Sequence, residues 1–182
     1  MKGVVFTEFI DHAEAAFGED VVDDVIEEAD LPSGGAYTSV GTYDFQEMVA
    51  LVTGLSKATS VPASDLIHGF GVHLGGSFQD KFQMFFEQQD DLFDFLDSVE
   101  KHIHIEVQKL YPDAELPSLK MVDRAGDTAT LRYRSMRCLE QLACGLIEAS
   151  AGYFKVPIEI TLSRGEDSGG QYSDIIIKKA AA

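Results

Sequence analysis

Apolar residues recur at helical spacing through the first part of the chain and at strand spacing through the last. Val4, Phe6, Phe9, Ile10, Ala13 and Phe17 predict a helix over residues 3–17, stopped by Gly18, and a second amphipathic helix follows from Val21 to Ala29. Asp44 opens a third, which carries Phe45, Met48, Val49, Leu51 and Val52. Pro62, followed by Ala63-Ser64-Asp65, opens a fourth that runs through Phe70 and Leu74 and is expected to end at Gly75 and Gly76. A fifth segment holds Phe78, Phe82, Phe85 and Phe86, and a sixth runs from near Asp90 to Leu110. Leu31 to Gly41, with Pro32, Gly34 and Gly35, reads as a linker between helical layers.

After Pro112 the period changes. Leu119 to Asp123 and Thr128 to Tyr133 read as strands meeting at Ala125-Gly126-Asp127, a hairpin turn. Cys138 to Phe154 reads as a helix, and Pro157 to Leu162 with Tyr172 to Lys178 as a second hairpin around Gly165 to Gly170. Helices first and a helix-crossed antiparallel sheet second make an α+β arrangement. The length of 182 residues and an apolar content of 45% suit one domain, 1–182, with a substantial core.

Charge narrows the partners. A formal net charge of -17 repels nucleic acid phosphates and anionic lipid, although a salt-adapted host produces the same excess of Asp and Glu. The apolar run Val4 to Ile10 is broken by Glu8, no cleavage pattern follows, and no later run approaches the ~20 residues that cross a bilayer, so a cytoplasmic location is expected. Cys138 and Cys144 sit six apart on the expected helix, pointing to different faces, and read as two reduced thiols. There is no zinc, zincin or covalent-haem motif, and no nucleophile, paired carboxylates or general base arranged for turnover, so an enzyme is not expected.

Two places carry candidate chemistry. In Leu131 to Arg137, strand alternation puts Tyr133, Ser135 and Arg137 on one side, three donors suited to a carboxylate or phosphate. The competing reading is an edge strand with Arg132, Arg134 and Arg137 in water. On the sixth helix the apolar stripe is Leu92, Phe95, Leu96, Val99, Ile103, Val107 and Leu110. His104 lies about 100° to one side of it and His102 about 90° to the other, so periodicity does not choose between them. His104 shares a lateral strip with Phe93 and Tyr111.

In order and spacing, His104, Tyr111-Pro112, Leu116-Pro117-Ser118 and Tyr133-x-Ser135-x-Arg137 resemble the H-NOX family, haem domains of gas sensors related to that of soluble guanylate cyclase. Met1-Lys2-Gly3, Phe70-Gly71, Leu96-Asp97 and Gly145-Leu146-Ile147-Glu148 extend the likeness over essentially the whole chain.

That resemblance implies a haem b held without covalent attachment between a helical distal part, about 1–65, and a proximal α/β part, about 66–182. His104 would be the axial ligand to iron, and Tyr133, Ser135 and Arg137 would hold the acidic ends of the porphyrin. Pro117 would press on and bend the ring, and Val5 and Phe9 would line the gas side. His12, His68, His73 and His102 have no matching context. Some relatives carry a zinc site near the C-terminus; here Glu166, Asp167 and Asp174 stand without Cys or His, so none is expected.

Leu142 stands where oxygen-binding relatives carry a Tyr that donates to bound oxygen. Its place among apolar helix neighbours also fits plain core, and Tyr43 or Tyr153 remains open as a pocket donor. The implied function is a bacterial, stand-alone nitric oxide sensor, which also takes carbon monoxide. Binding would break the bond from iron to His104, and the shape change would regulate a separate histidine kinase or cyclic-di-GMP enzyme. An oxygen-binding haem protein and a haem-free interaction domain are the alternatives.

Overall fold

A computed structural model describes residues 1–180. The early helical periods become α1 (Gly3–Phe17), α2 (Glu19–Glu28), α3 (Phe45–Thr59), α4 (Ala63–Lys81) and the short α5 (Gln83–Glu87). Gly18 divides α1 from α2 at φ 93°, a left-handed conformation that side chains disfavour. Asp44 caps α3 by accepting from the Gln46 N–H at 2.9 Å. Phe6, Phe9, Leu51 and Leu55 form one core with Phe70 and Leu74 of α4.

The linker between α2 and α3 is fastened by a buried acid. Glu47, 5% exposed, accepts from the hydroxyls of Ser33 and Tyr37, the latter at 3.0 Å. Burial, reinforced by Glu47, pushes the Tyr37 phenol up to about 12. Glu8, the charge that interrupts the first apolar run, is also buried, where it binds Lys81 and joins α1 to the end of α4.

The second core is built on an antiparallel sheet, the α+β arrangement expected from the change of period. Strands β1 (Ser118–Ala125), β2 (Thr128–Arg134), β3 (Ile158–Asp167) and β4 (Gly170–Lys179) lie in the order β1-β2-β4-β3. Against it pack α6 (Leu92–Ser98), which brings Leu92, Phe93 and Leu96, and α8 (Glu140–Tyr153), which brings Cys144 and Ile147. The sixth helix of the sequence is three pieces: α6, a π turn over Val99–Ile103, and α7 (His104–Leu110).

Three boundaries differ from expectation. First, α4 runs on through Gly75 and Gly76 to Lys81: Gly71 and Gly75 serve contact rather than termination, while Gly76 faces open space. A Cβ on Gly71 would stand 2.5 Å from the Leu142 carbonyl oxygen, and one on Gly75 would stand 2.4 Å from the Ala149 Cβ. On the facing helix, a Cβ on Gly145 would stand 2.2 Å from the His68 carbonyl oxygen. Helices α4 and α8 thus meet backbone to backbone and join the two cores.

Second, Cys138 lies outside α8 with φ 49°, exposed, while Cys144 is buried; both thiols are free. Third, the second hairpin turns at Ser168-Gly169 instead of spreading over Gly165 to Gly170. Gly165 is a strand residue paired with Tyr172, whose ring covers the space a Cβ would take.

The contact between α4 and α8 is tested by Gly145→Ala. Alanine gains ~1 kcal/mol in helix propensity, but its methyl meets only backbone atoms, and overpacking costs ~1–3 kcal/mol. We expect a net loss of up to ~2 kcal/mol, read as a lower urea midpoint. Gly152→Ala, with open space around its Cβ, should lose nothing.

Candidate functional site

The π turn decides where His104 faces. Its last bond runs from the His104 N–H to the Val99 carbonyl, five residues back, so the helix gains a residue in that turn. The apolar stripe predicted along an unbroken helix is therefore broken: Leu92, Phe95 and Leu96 are buried, whereas Val107 is only partly covered and Leu110 is 72% exposed. No residue of α7 is fully buried. His104 is nonetheless largely covered, with 19% of its side chain exposed, and His102 is exposed. The two histidines that periodicity left equivalent are distinguished here.

The His104 Nδ1 lies 3.1 Å from the Glu100 carboxylate. Glu100 also accepts from the Ser118 hydroxyl at 3.2 Å and the Leu119 N–H at 3.0 Å. The His104 Nε2 has no hydrogen bond among the described residues. Pro117, partly buried, directly precedes this junction between helix and strand.

Tyr133 and Ser135 stand together at the end of the strand, whereas Arg137 meets them only through its backbone N–H and turns its guanidinium to Glu115 and Phe45, so strand alternation does not gather the three donors. Strand β2 ends at Arg134, and the turn from Ser135 to Cys138, which needs the left-handed Cys138, sends Arg137 to Glu115. The buried Tyr133 oxygen accepts from the Leu139 N–H at 3.3 Å, and the Ser135 hydroxyl oxygen accepts from the Arg137 N–H at 3.1 Å. Burial raises the Tyr133 phenol above its ordinary value, which keeps it neutral and able to donate.

The edge-strand reading fails, because β2 is interior and none of the three arginines is simply in water. Arg132 makes a two-pronged pair with Asp174, both bonds 2.8 Å, with its guanidinium 3.7 Å from the Tyr172 ring centre. Arg134 pairs with Asp167. Arg137 binds Glu115, whose carboxylate is 81% exposed, and lies over the Phe45 ring. Of the three, it has the partner that another anion most easily replaces.

A cavity of about 230 Å³ opens among Met1, Val5, Phe45, Val52, Phe70 and Leu142, with Arg137 and Cys138 also in its wall. Phe9 stands behind Phe70, edge to face, with ring centres 5.2 Å apart. The Thr53 hydroxyl in the wall donates to the Val49 carbonyl of its own helix. The two tyrosines left open as donors lie elsewhere: the Tyr43 oxygen accepts from the Thr38 N–H, and Tyr153 packs on Phe86 and Phe154.

The other histidines have separate settings. His12 lies beside His73, which is 3.4 Å from Glu8, and His68 pairs with Glu148 in a second groove of about 500 Å³ by β3. Among the described residues no cluster of three His, Cys, Asp or Glu side chains could hold a metal ion, and no helix is long and apolar enough to cross a membrane. Asp167 and Asp174, near the expected position of a relative's zinc site, are engaged by arginines. Glu100 and Glu115 escaped the sequence reading. A Glu four residues before His104 was the available signal for the first, while nothing local marks the second.

Residues 2–162 match the family model described as Haem-NO-binding. The chain belongs to the H-NOX family, a family of haem-based gas sensors. The Fe(II) unliganded H-NOX protein of K. algicida is 36% identical, with a TM-score of 0.93, over 100% of this chain and 98% of that one. The S. oneidensis H-NOX protein in its Fe(II)NO state is 26% identical, with a TM-score of 0.89, over 100% of both chains. A mutant of the T. Tengcongensis H-NOX protein is 25% identical, with a TM-score of 0.88, over 100% of this chain and 98% of that one. No curated protein matches.

The donor set of this H-NOX domain suits haem. It offers one covered imidazole with an open nitrogen, an apolar wall, a cation and two hydroxyl groups for acidic substituents, of which Arg137 and the apolar residues line the cavity while His104, Pro117, Tyr133 and Ser135 do not. The cavity is smaller than the ~300–1,000 Å³ usual for ligand sites, and its lining from α1, α3, α4 and α8 marks one side of such a site.

Cysteine chemistry reports on this wall. Cys138 is exposed, while burial, aided by Glu140 and Glu148, pushes the Cys144 thiol up to about 11. We expect a disulfide reagent near neutral pH to label one thiol per native chain quickly and the second only on unfolding. Rapid labelling of both would contradict the packing of α8.

Proposed function

We propose that this H-NOX domain is a nitric oxide sensor that discriminates against oxygen, with haem b as its cofactor and His104 as the axial ligand to iron. The observation that carries the reading is the cavity wall, where Val5, Phe70 and Leu142 offer no hydrogen-bond donor, the Thr53 hydroxyl is spent on its own helix and the Arg137 guanidinium is held by Glu115. A hydrogen bond to a partly charged ligand is worth ~1–3 kcal/mol, so lacking it costs bound oxygen roughly tenfold to a hundredfold in affinity. Nitric oxide and carbon monoxide depend less on it.

Haem would be held by His104 and, when bound, would supply a ferrous iron that takes nitric oxide at the cost of that bond. The remaining work falls to the protein. Arg137 exchanges Glu115 for a propionate while Tyr133 and Ser135 complete the anion site, each charge-assisted bond adding ~1.5–3 kcal/mol. Pro117 presses on the ring, and Val5 and Phe9 form the gas side. Release of His104 frees α7, which no fully buried residue anchors. Its movement against the sheet gives two states that a signalling partner can read. The partner class is a histidine kinase or a cyclic-di-GMP enzyme, as the family resemblance implies.

Absorption spectra of the ferrous protein test this. With nitric oxide the wild type should be five-coordinate, and His104→Gly should need added imidazole to regain the unliganded wild-type spectrum. Six-coordinate nitric oxide spectra in both proteins would rule out release of His104, and colourless protein that takes up no haem would favour an interaction domain. Leu142→Tyr should gain a stable oxygen complex in air that the wild type lacks; a stable complex in the wild type would make it an oxygen binder.

A further inference from the structure

We propose that Glu100 is a positioning residue for His104: its carboxylate fixes the imidazole tautomer and orientation and latches the ligand-bearing turn to the start of β1. The inference rests on the reading of His104 as the iron ligand and adds a residue that the resemblance did not supply.

The hydrogen bonds define the chemistry. One Glu100 oxygen, Oε2, is shared by the Leu119 N–H at 3.0 Å and the His104 Nδ1 at 3.1 Å, while Oε1 takes the Ser118 hydroxyl at 3.2 Å. A backbone N–H can only donate, so Oε2 is an acceptor. An ionised carboxylate has no proton to give, so Nδ1 carries the proton, which leaves the lone pair of a neutral imidazole on Nε2, the nitrogen without a partner. An imidazole bound to a metal through one nitrogen commonly donates from the other to a carboxylate, which orients the ring and makes it a stronger donor.

Local geometry supports the assignment. Glu100 lies within the π turn and His104 is the first residue after it, so their side chains meet across the widened turn. The Glu100 side chain is 28% exposed and that of His104 19%, so water does not replace the bond freely. Glu100 reaches β1 at Ser118 and Leu119, immediately after Pro117. One carboxylate thereby sets the ring, the turn and the strand start in a common frame. When His104 leaves the iron, the imidazole can remain on Glu100 and move with the turn.

A purely structural latch would need only the bonds to Ser118 and Leu119, and two measurements separate that role from positioning. In the haem-free protein at alkaline pH, nitrogen-15 NMR reads the His104 tautomer. Wild type should show Nδ1–H, and Glu100→Ala should shift toward the Nε2–H form favoured by an unconstrained histidine side chain. In the ferrous haem protein, resonance Raman reads the iron–histidine stretch. It should fall in frequency in Glu100→Ala and less in Glu100→Gln, whose amide offers one acceptor oxygen in place of two. Haem transfer to apomyoglobin should accelerate about tenfold or more in Glu100→Ala.

Ser118→Ala removes a latch contact but leaves the acceptor on Nδ1, so tautomer and stretch should stay as in wild type. An unchanged tautomer and stretch in both Glu100 variants would overturn the proposal, as would an equal shift in Ser118→Ala. If Glu100→Ala fails to fold, the near-isosteric Glu100→Gln decides by the same readouts. A wild type without an iron–histidine band would instead overturn the assignment of His104 as ligand, while the haem-free tautomer still tests Glu100.

Discussion

The backbone contact between α4 and α8 is the constraint on which the rest of the structure depends. The helical core and the sheet core are separate apolar clusters, and each would be incomplete without the other. Gly71, Gly75 and Gly145 let the two helices approach until carbonyl oxygens and Cα atoms touch, so the layers meet along a rigid seam. Phe70 and Leu142, one on each helix, then face the same cavity. Larger residues at the seam would spread the helices and alter that wall before altering any chemistry.

Rigidity there contrasts with α7. The π turn interrupts the apolar stripe just where it would have held the helix to the sheet, and it exchanges packing for a placed imidazole. Few buried contacts mean a low local opening free energy. The helix α7, which begins at His104, thus has no buried residue to hold it, whereas the cavity wall of Phe70 and Leu142 stands on the close approach of α4 and α8.

Charge follows a similar division. Most of the acidic excess is spread over the surface, but Glu8, Glu47 and Glu140 are buried, each held by donors from another segment: Lys81, Ser33 with Tyr37, and Arg164. Unpaired, such groups would be costly; paired, they fix how helices and loops meet. Arg132 and Arg134 are spent in the same way on the sheet. Arg137 is held by an exposed glutamate, which leaves it able to take another anion.

Sequence by itself determined the order of helices and strands, the α+β class and the kinship carried by His104, Pro117, Tyr133, Ser135 and Arg137. These are local or ordered signals: periods, caps, turn residues and spacings that survive in one dimension. Gly75 and Gly76 read as helix stops, and Tyr133 to Arg137 as one strand face, because the same residues serve local and long-range needs alike. Only the tertiary structure decided that Gly71, Gly75 and Gly145 admit the close approach of α4 and α8, that a turn at Cys138 sends Arg137 to Glu115, and that a π turn, rather than an even helical stripe, carries His104 to Glu100. Each of those outcomes depends on a partner distant in the chain or on one inserted residue in a turn, and the pattern of apolar positions encodes neither.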